Sequence, residues 1–160
     1  MKVAVFADTH GTLSYACDAV RESKPDAIIH LGDHDRDAEA IRRMFPDIPM
    51  YSVRGNCDMT PIAPDRAVVT LGPVKAFITH GHLYDVDWST DRLVYAAQEN
   101  GCSLAMYGHT HSAEQHTQGG VTVLNPGTAG RARTREGLTW ALVTVMENGG
   151  IACEIRNFAK

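Results

Sequence analysis

The four cysteines, Cys17, Cys57, Cys102 and Cys153, form no Cys-x-x-Cys pair and no other finger or disulfide spacing. A thiolate zinc finger and a disulfide-stapled secreted scaffold are therefore excluded as readings, and free thiols suit a reducing cytosol. Long hydrophobic runs are lacking too. None is longer than the run Val3, Ala4, Val5, Phe6 and Ala7, too short for a signal-peptide core or a membrane span, so a cytoplasmic protein with no membrane association is expected. The formal net charge is -4 and the lysines and arginines are scattered without a continuous basic stripe, which argues against a dedicated nucleic-acid surface and for a small substrate. There is no repeat, low-complexity tract or linker, and 160 residues suit one domain, 1–160, with a sizeable core.

What the chain does have is one device used repeatedly: an apolar run that stops at Asp, Asn or His flanked by glycine. The first run ends in Asp8-Thr9-His10-Gly11. In an extended segment residues i and i+2 leave the same face, so Asp8 and His10 can reach one ion together. Alone, that pattern equally suits a helix cap. It recurs, however, at Leu31-Gly32-Asp33, Gly55-Asn56-Cys57-Asp58, His80-Gly81-His82 and Gly108-His109-Thr110-His111.

Between these clusters, strand and helix signals alternate. Leu13, Ala16, Cys17 and Val20 recur at helical spacing before Lys24-Pro25, Ala27 to Leu31 reads as a strand, Ala38, Ile41, Met44 and Phe45 give a helix stopped by Pro46, and Met50 to Val53 a third strand. Repeated strand and helix units imply a largely parallel sheet with ligands at its carboxyl ends. Ala67 to Leu71 and Val74 to Thr79 then read as a hairpin, Leu93 to Ala97 as a helix ended by Gly101, and Leu104 to Tyr107 as a strand. Glu114 to Gln118, Val121 to Leu124, Leu138 to Met146 and Ile151 to Ile155 are expected as strands of a more antiparallel sheet. The expected fold is α/β, with two packed sheets flanked by helices.

The candidate ligands are Asp8, His10, Asp33, Asn56, His80, His109 and His111. Seven donors are too many for one tetrahedral zinc and suit two ions, roughly 3.5–4 Å apart, sharing a carboxylate and a water. Mixed nitrogen and oxygen donors favour Mn, Fe, Zn, Co or Ni over Mg or Ca. The donor types do not choose among these; Mn is taken as the expected ion, with Fe, Zn, Co or Ni as alternatives. Two divalent cations against two carboxylates leave a charge of about +2, and a bridging hydroxide lowers it to about +1, which a phosphodiester monoanion neutralises and a monoester dianion slightly overshoots.

The ordered set Asp8-x-His10, Gly32-Asp33, Gly55-Asn56-x-Asp58, His80-Gly81-His82 and Gly108-His109-Thr110-His111 resembles the calcineurin-like metallophosphoesterase superfamily, above all its small single-domain bacterial and archaeal phosphodiesterases. Members of that branch share Cys in the Gly-Asn-Cys-Asp segment and a stretch like Asn125-Pro126-Gly127-Thr128. The resemblance covers nearly the whole chain. It implies a two-sheet sandwich with helices outside both sheets, the four-layer αββα arrangement. It also implies a first metal on Asp8, His10, Asp33 and His111, and a second on Asp33, Asn56, His80 and His109, with Asp33 bridging. A homodimer is plausible by the same analogy.

Many members have His where this chain has Cys57, paired with the following acid, here Asp58, to protonate the leaving group. A thiol is a weak hydrogen-bond donor, and the bland reading of Cys57 is a small buried filler. His82 could supply the missing acid or orient a ligand. His30 reads as a hydrogen-bonded core residue, His116 as an edge-strand residue, and His34 with Asp35 as a helix cap; Arg131, Arg133 and Arg135 read as a solvated loop, with Arg133 a minor candidate phosphate clamp. Two other functions stay open. One is a non-catalytic interaction module, as in the retromer subunit that resembles this family but has lost ligands. The other is a nuclease, although such members add a capping domain and a basic surface.

Overall fold

The computed structural model describes residues 1–59, 62–133 and 135–158. Strand β1 (Lys2–Phe6), helix α1 (Ser14–Ser23), β2 (Ala27–His30), helix α2 (Asp35–Met44) and β3 (Met50–Ser52) come first. The hairpin β4 (Arg66–Leu71) and β5 (Val74–Thr79), helix α3 (Asp91–Glu99), β6 (Leu104–Met106), β7 (Glu114–Gln118), β8 (Val121–Asn125), β9 (Thr139–Val145) and β10 (Ile151–Asn157) follow.

Two five-stranded sheets result, in the orders β10-β9-β1-β2-β3 and β4-β5-β6-β8-β7. Alternation along β1 explains their stacking. Val3, Val5 and Ala7 enter the core between the sheets, while Ala4 and Phe6 face the opposite way, onto Ala16, Val20, Ala38 and Ile41 of α1 and α2. On the far side, Leu93, Val94 and Ala97 of α3 cover Phe77, Ala105 and Val123. The layers are thus helix, sheet, sheet, helix, as expected. Helix α1 closes at Lys24, whose left-handed backbone returns its N–H to the Val20 carbonyl immediately before Pro25.

The strands after Glu114 depart from expectation. They do not make one antiparallel sheet. Strands β7 and β8 join the second sheet, where β8 runs parallel to β6 and β6 to β5, whereas β9 and β10 return to the first sheet beside β1. Burial explains the return. Trp140 and Leu142 of β9 belong to the helix-side core and Ala141, Val143 and Val145 to the core between the sheets, so β9 needs cover on both faces. A position next to β1 supplies that, and half-exposed β10 forms the edge.

The parallel strands β1, β2 and β3 of one sheet and β5 and β6 of the other deliver their carboxyl ends to the same end of the sandwich. Asp8 N–H bonds the Gly32 carbonyl at 3.0 Å and Gly108 N–H the His80 carbonyl at 2.9 Å, tying each loop to its neighbour.

His30 ends β2 fully buried, with Nε2 3.0 Å from Thr9 Oγ1 and Nδ1 accepting the Gly32 N–H. Burial pushes this imidazole down to about 4. Because the unfolded ring gains its proton first as pH falls, the stability contributed by the neutral ring is complete above about 6.5 and is lost between there and about 4, by at most about 3 kcal/mol. His30→Gln, which keeps a polar group at this site, should lessen the acid loss of stability over that window. Urea midpoints at pH 7 and 4.5 measure it, and an undiminished loss in the variant would contradict this role.

Candidate metal centre

The ligand loops are sharply bent at the ligands themselves. Asp8, His10, Asp33, His109 and His111 all have φ between 45° and 67°, the left-handed region that costs non-glycine residues roughly 1–2 kcal/mol and that Asp and His tolerate better than most. Strand β1 ends at Phe6, so Asp8 and His10 converge through these bends rather than through extended alternation. Close approach requires glycine at Gly55, where a Cβ would lie 1.9 Å from Asp33 Oδ1.

Asp8, His10, Asp33 and His111 each offer one donor atom, and these four atoms all lie within 4.8 Å of one another. His111 Nε2 is 3.3 Å from Asp8 Oδ1 and 3.4 Å from His10 Nε2, which is 3.7 Å from Asp33 Oδ2. A second group meets at Asn56 Oδ1, 3.0 Å from His80 Nε2 and 3.0 Å from His109 Nδ1; His80 Nε2 is also 3.4 Å from Asp33 Oδ1. Asp33 thus faces one group with each of its oxygens. The seven sequence-predicted ligands are all brought together.

The imidazoles are pre-aimed. His80 Nδ1 lies 2.7 Å from the Leu31 carbonyl and His111 Nδ1 3.0 Å from the Arg131 carbonyl; these acceptors require N–H at Nδ1 and leave Nε2 lone pairs pointing inward. His109 is turned the other way, with Nε2 2.9 Å from Asp87 Oδ2 and Nδ1 inward. Asp8 Oδ1 is buried with no hydrogen-bond partner, a costly arrangement for a carboxylate that a cation would relieve. Donor type, direction and this orphaned oxygen all fit divalent cations.

The electrostatics agree with that fit. Burial alone would raise the Asp33 carboxyl, but hydrogen bonding and charge from His80, with the Cys57 amide, outweigh it and hold the group well below the usual carboxylate range. The Asp8 carboxylate beside it raises His111 against its burial, and Asp33 and Asp8 together overcome burial to raise His80. Burial lowers His10. Protons and cations therefore compete for the inward nitrogens, and cation binding is favoured as pH rises.

Around this centre the other candidates separate. Cys57 is exposed at the rim, its N–H donating to Asp33 Oδ1 at 3.0 Å, and its thiol is pushed up to about 11 by burial and then by Asp33. It is thus no buried filler. Asp58 is buried and spends its oxygens on the amides of His34, Asp35 and Gly55, at 2.8, 2.9 and 2.7 Å, bracing the Asp33 and Asn56 loops rather than facing Cys57. His82 packs its ring 5.4 Å from that of His80 and 6.2 Å from that of His109, and burial followed by those neighbours lowers it. His34 precedes α2 without a side-chain cap bond, and His116 lies in edge strand β7. Arg131, Arg133 and Arg135 are exposed.

Sequence reasoning missed Asp87, an ordinary loop acid with no motif to mark it. It also gave no function to Asn125 and Thr128. Asn125 Nδ2 donates to the Gly108 carbonyl at 3.0 Å and to Thr110 Oγ1 at 2.9 Å, while Thr128 Oγ1 donates to the Asp8 carbonyl at 3.0 Å. These bonds clamp two ligand loops, and partners so distant in sequence leave no local signal.

The model of the calcineurin-like phosphoesterase superfamily domain matches residues 1–148. The probable metallophosphoesterase YsnB of Bacillus subtilis (strain 168) is 29% identical over 148 residues, spanning 91% of this chain and 85% of that protein. Among solved structures, a conserved uncharacterized protein from Streptococcus pneumoniae TIGR4, a predicted phosphoesterase, is 31% identical with a TM-score of 0.76, covering 89% of this chain and 81% of that one. Vps29 from Entamoeba histolytica, complexed with Zn²⁺, shares the fold at 20% identity and TM-score 0.77, covering 99% and 100%.

If Asp33 serves both donor groups, Asp33→Ala should lose more metal than Asn56→Ala, which spares the first group. Metal analysis of purified variants with matched circular dichroism measures this, and equal, full occupancy in both would count against a shared carboxylate.

Proposed function

The chain belongs to the calcineurin-like phosphoesterase superfamily, and on that premise we propose that it is a metal-dependent phosphodiesterase acting on a small diester. The orphaned Asp8 Oδ1, buried within a ring of inward-facing donors, is the observation that carries this reading. Asp8, His10, Asp33 and His111 would hold one ion and Asp33, Asn56, His80 and His109 a second, with Mn expected. Bound there, two divalent ions would supply a nucleophile from water at neutral pH and positive charge for the phosphoryl oxygens.

The chain's own contribution is placement. Backbone carbonyls of Leu31 and Arg131 fix two imidazoles, Asp58 braces the loops of Asp33 and Asn56, and Asn125 and Thr128 clamp the loops of His109 and Asp8. The charge balance favours a diester monoanion over a monoester dianion, because two divalent cations set against two carboxylates and one hydroxide would leave a charge of about +1. The complete donor set argues against a purely non-catalytic module. The absence of a basic stripe argues against a nuclease. The protein is expected in the cytoplasm.

The test is hydrolysis of paired mono- and diesters of one chromophoric alcohol. The diester should be preferred, chelation should abolish its turnover, and added Mn should restore it; undiminished turnover in metal-free protein would sink the proposal.

Cys57 adds a second expectation. A neutral thiol at the rim protonates a departing alkoxide poorly, so rates should fall steeply as the alcohol's pKa rises. Cys57→His should flatten that dependence, accelerating esters of ordinary alcohols by up to roughly 10²–10⁴-fold while aryl esters change little. If the variant keeps its metals and the parent's leaving-group slope, another residue, His82 first, supplies the proton.

A further inference from the structure

Of the three histidines whose outer nitrogen has a clear partner, two are held by main-chain carbonyls and one by a side chain. The exception is His109. Its Nε2 is 2.9 Å from Asp87 Oδ2, and its Nδ1 is 3.0 Å from Asn56 Oδ1. No substitution can remove the Leu31 and Arg131 carbonyls that orient His80 and His111, so of these three imidazoles His109 alone is aimed by a replaceable side chain.

The Asp87 backbone is well anchored although its side chain is 56% exposed. Val86 is buried against α3 and packs on Gly81, where a Cβ would meet Val86 Cγ2 at 2.7 Å. On the other side, Trp88 and Ser89 return their N–H groups to the Asp85 carbonyl at 3.0 and 3.2 Å. The turn therefore presents Asp87 to His109 from a fixed base. At this exposure an ion pair adds little stability. Direction is a different matter, since an imidazole that ligates through one nitrogen must carry its proton on the other, and a carboxylate there fixes the tautomer and raises ligand basicity.

We infer that Asp87 is a positioning residue for the second metal: it holds His109 with its proton on Nε2 and aims Nδ1 at the position shared with Asn56 and His80. The inference rests on the two-ion reading of the centre. The first donor group, Asp8, His10, Asp33 and His111, has no contact with Asp87 among the described residues. Loss of Asp87 should thus weaken the second ion selectively, by roughly 10–100-fold, as outer partners of metal-bound histidines typically do.

Two readouts test this without turnover. In metal-free protein above the histidine titration range, two-bond ¹⁵N spectra should show His109 as the Nε2–H tautomer and Asp87→Ala as a mixture, with Asp87→Glu restoring the parent state. In an Mn(II) titration followed by electron paramagnetic resonance, Asp87→Ala should fill the first site as the parent does but need roughly 10–100-fold more Mn to give the spin-coupled pair. Asp85→Asn, in the same turn, should behave as the parent. An unchanged tautomer, a coupled signal at the parent's Mn concentration, or equal weakening of both ions would overturn the inference. A parent that binds one ion contradicts the two-ion reading instead, and the tautomer then decides the role of Asp87 alone.

Discussion

Two carboxylates, Asp8 and Asp33, are held inside the protein where the ends of its two sheets meet, and among the described residues no lysine or arginine pairs with either. Buried anions without a cation are expensive, and removing them from water is repaid only by a close opposite charge or by several good donors. The surrounding structure is arranged to keep them there. Left-handed bends point them inward, Gly55 makes room for one, and hydrogen bonds from the Cys57 and His109 amides satisfy part of their need. What remains unsatisfied, Asp8 Oδ1 above all, is the demand that divalent cations would meet.

Rigidity around this demand comes from the fold. A sheet with both faces covered cannot slip its register without moving its core, so β1, β2, β5 and β6 deliver their loops to fixed positions. Strand β9, buried on both faces beside β1, completes that cover from the far end of the chain. Polar clamps then set the loops relative to one another: Asp58 joins the Asp33 and Asn56 loops, while Asn125 and Thr128 reach the Gly108 and Asp8 loops. Such clamps act on geometry more than on stability, and ligands displaced by a fraction of an ångström hold ions poorly.

The sequence made the ligands legible because each follows an apolar run and precedes or follows glycine, a local pattern that survives without any knowledge of contacts. The unbroken apolar run of β1 likewise fits a strand covered on both faces. What stayed hidden was non-local. Nothing near Thr139 says that β9 will pair with β1, because a strand buried on both faces shows no alternation that would choose a neighbour. Asp87 looks like any loop acid until the fold sets it against His109, and Asp58, read as an acid beside Cys57, proves to face three amides. The bends at Asp8 and His10 were hidden as well, since an extended reading of that segment brings the same two side chains together.

In the proposed two-ion centre, both cations would share Asp33. Crystals grown with Mn and measured at its absorption edge would show this directly. Two anomalous peaks roughly 3.5–4 Å apart, one among Asp8, His10, Asp33 and His111 and the other among Asp33, Asn56, His80 and His109, are the predicted result. A single peak at full occupancy, or peaks that leave Asp8 Oδ1 without a ligand contact, would contradict it.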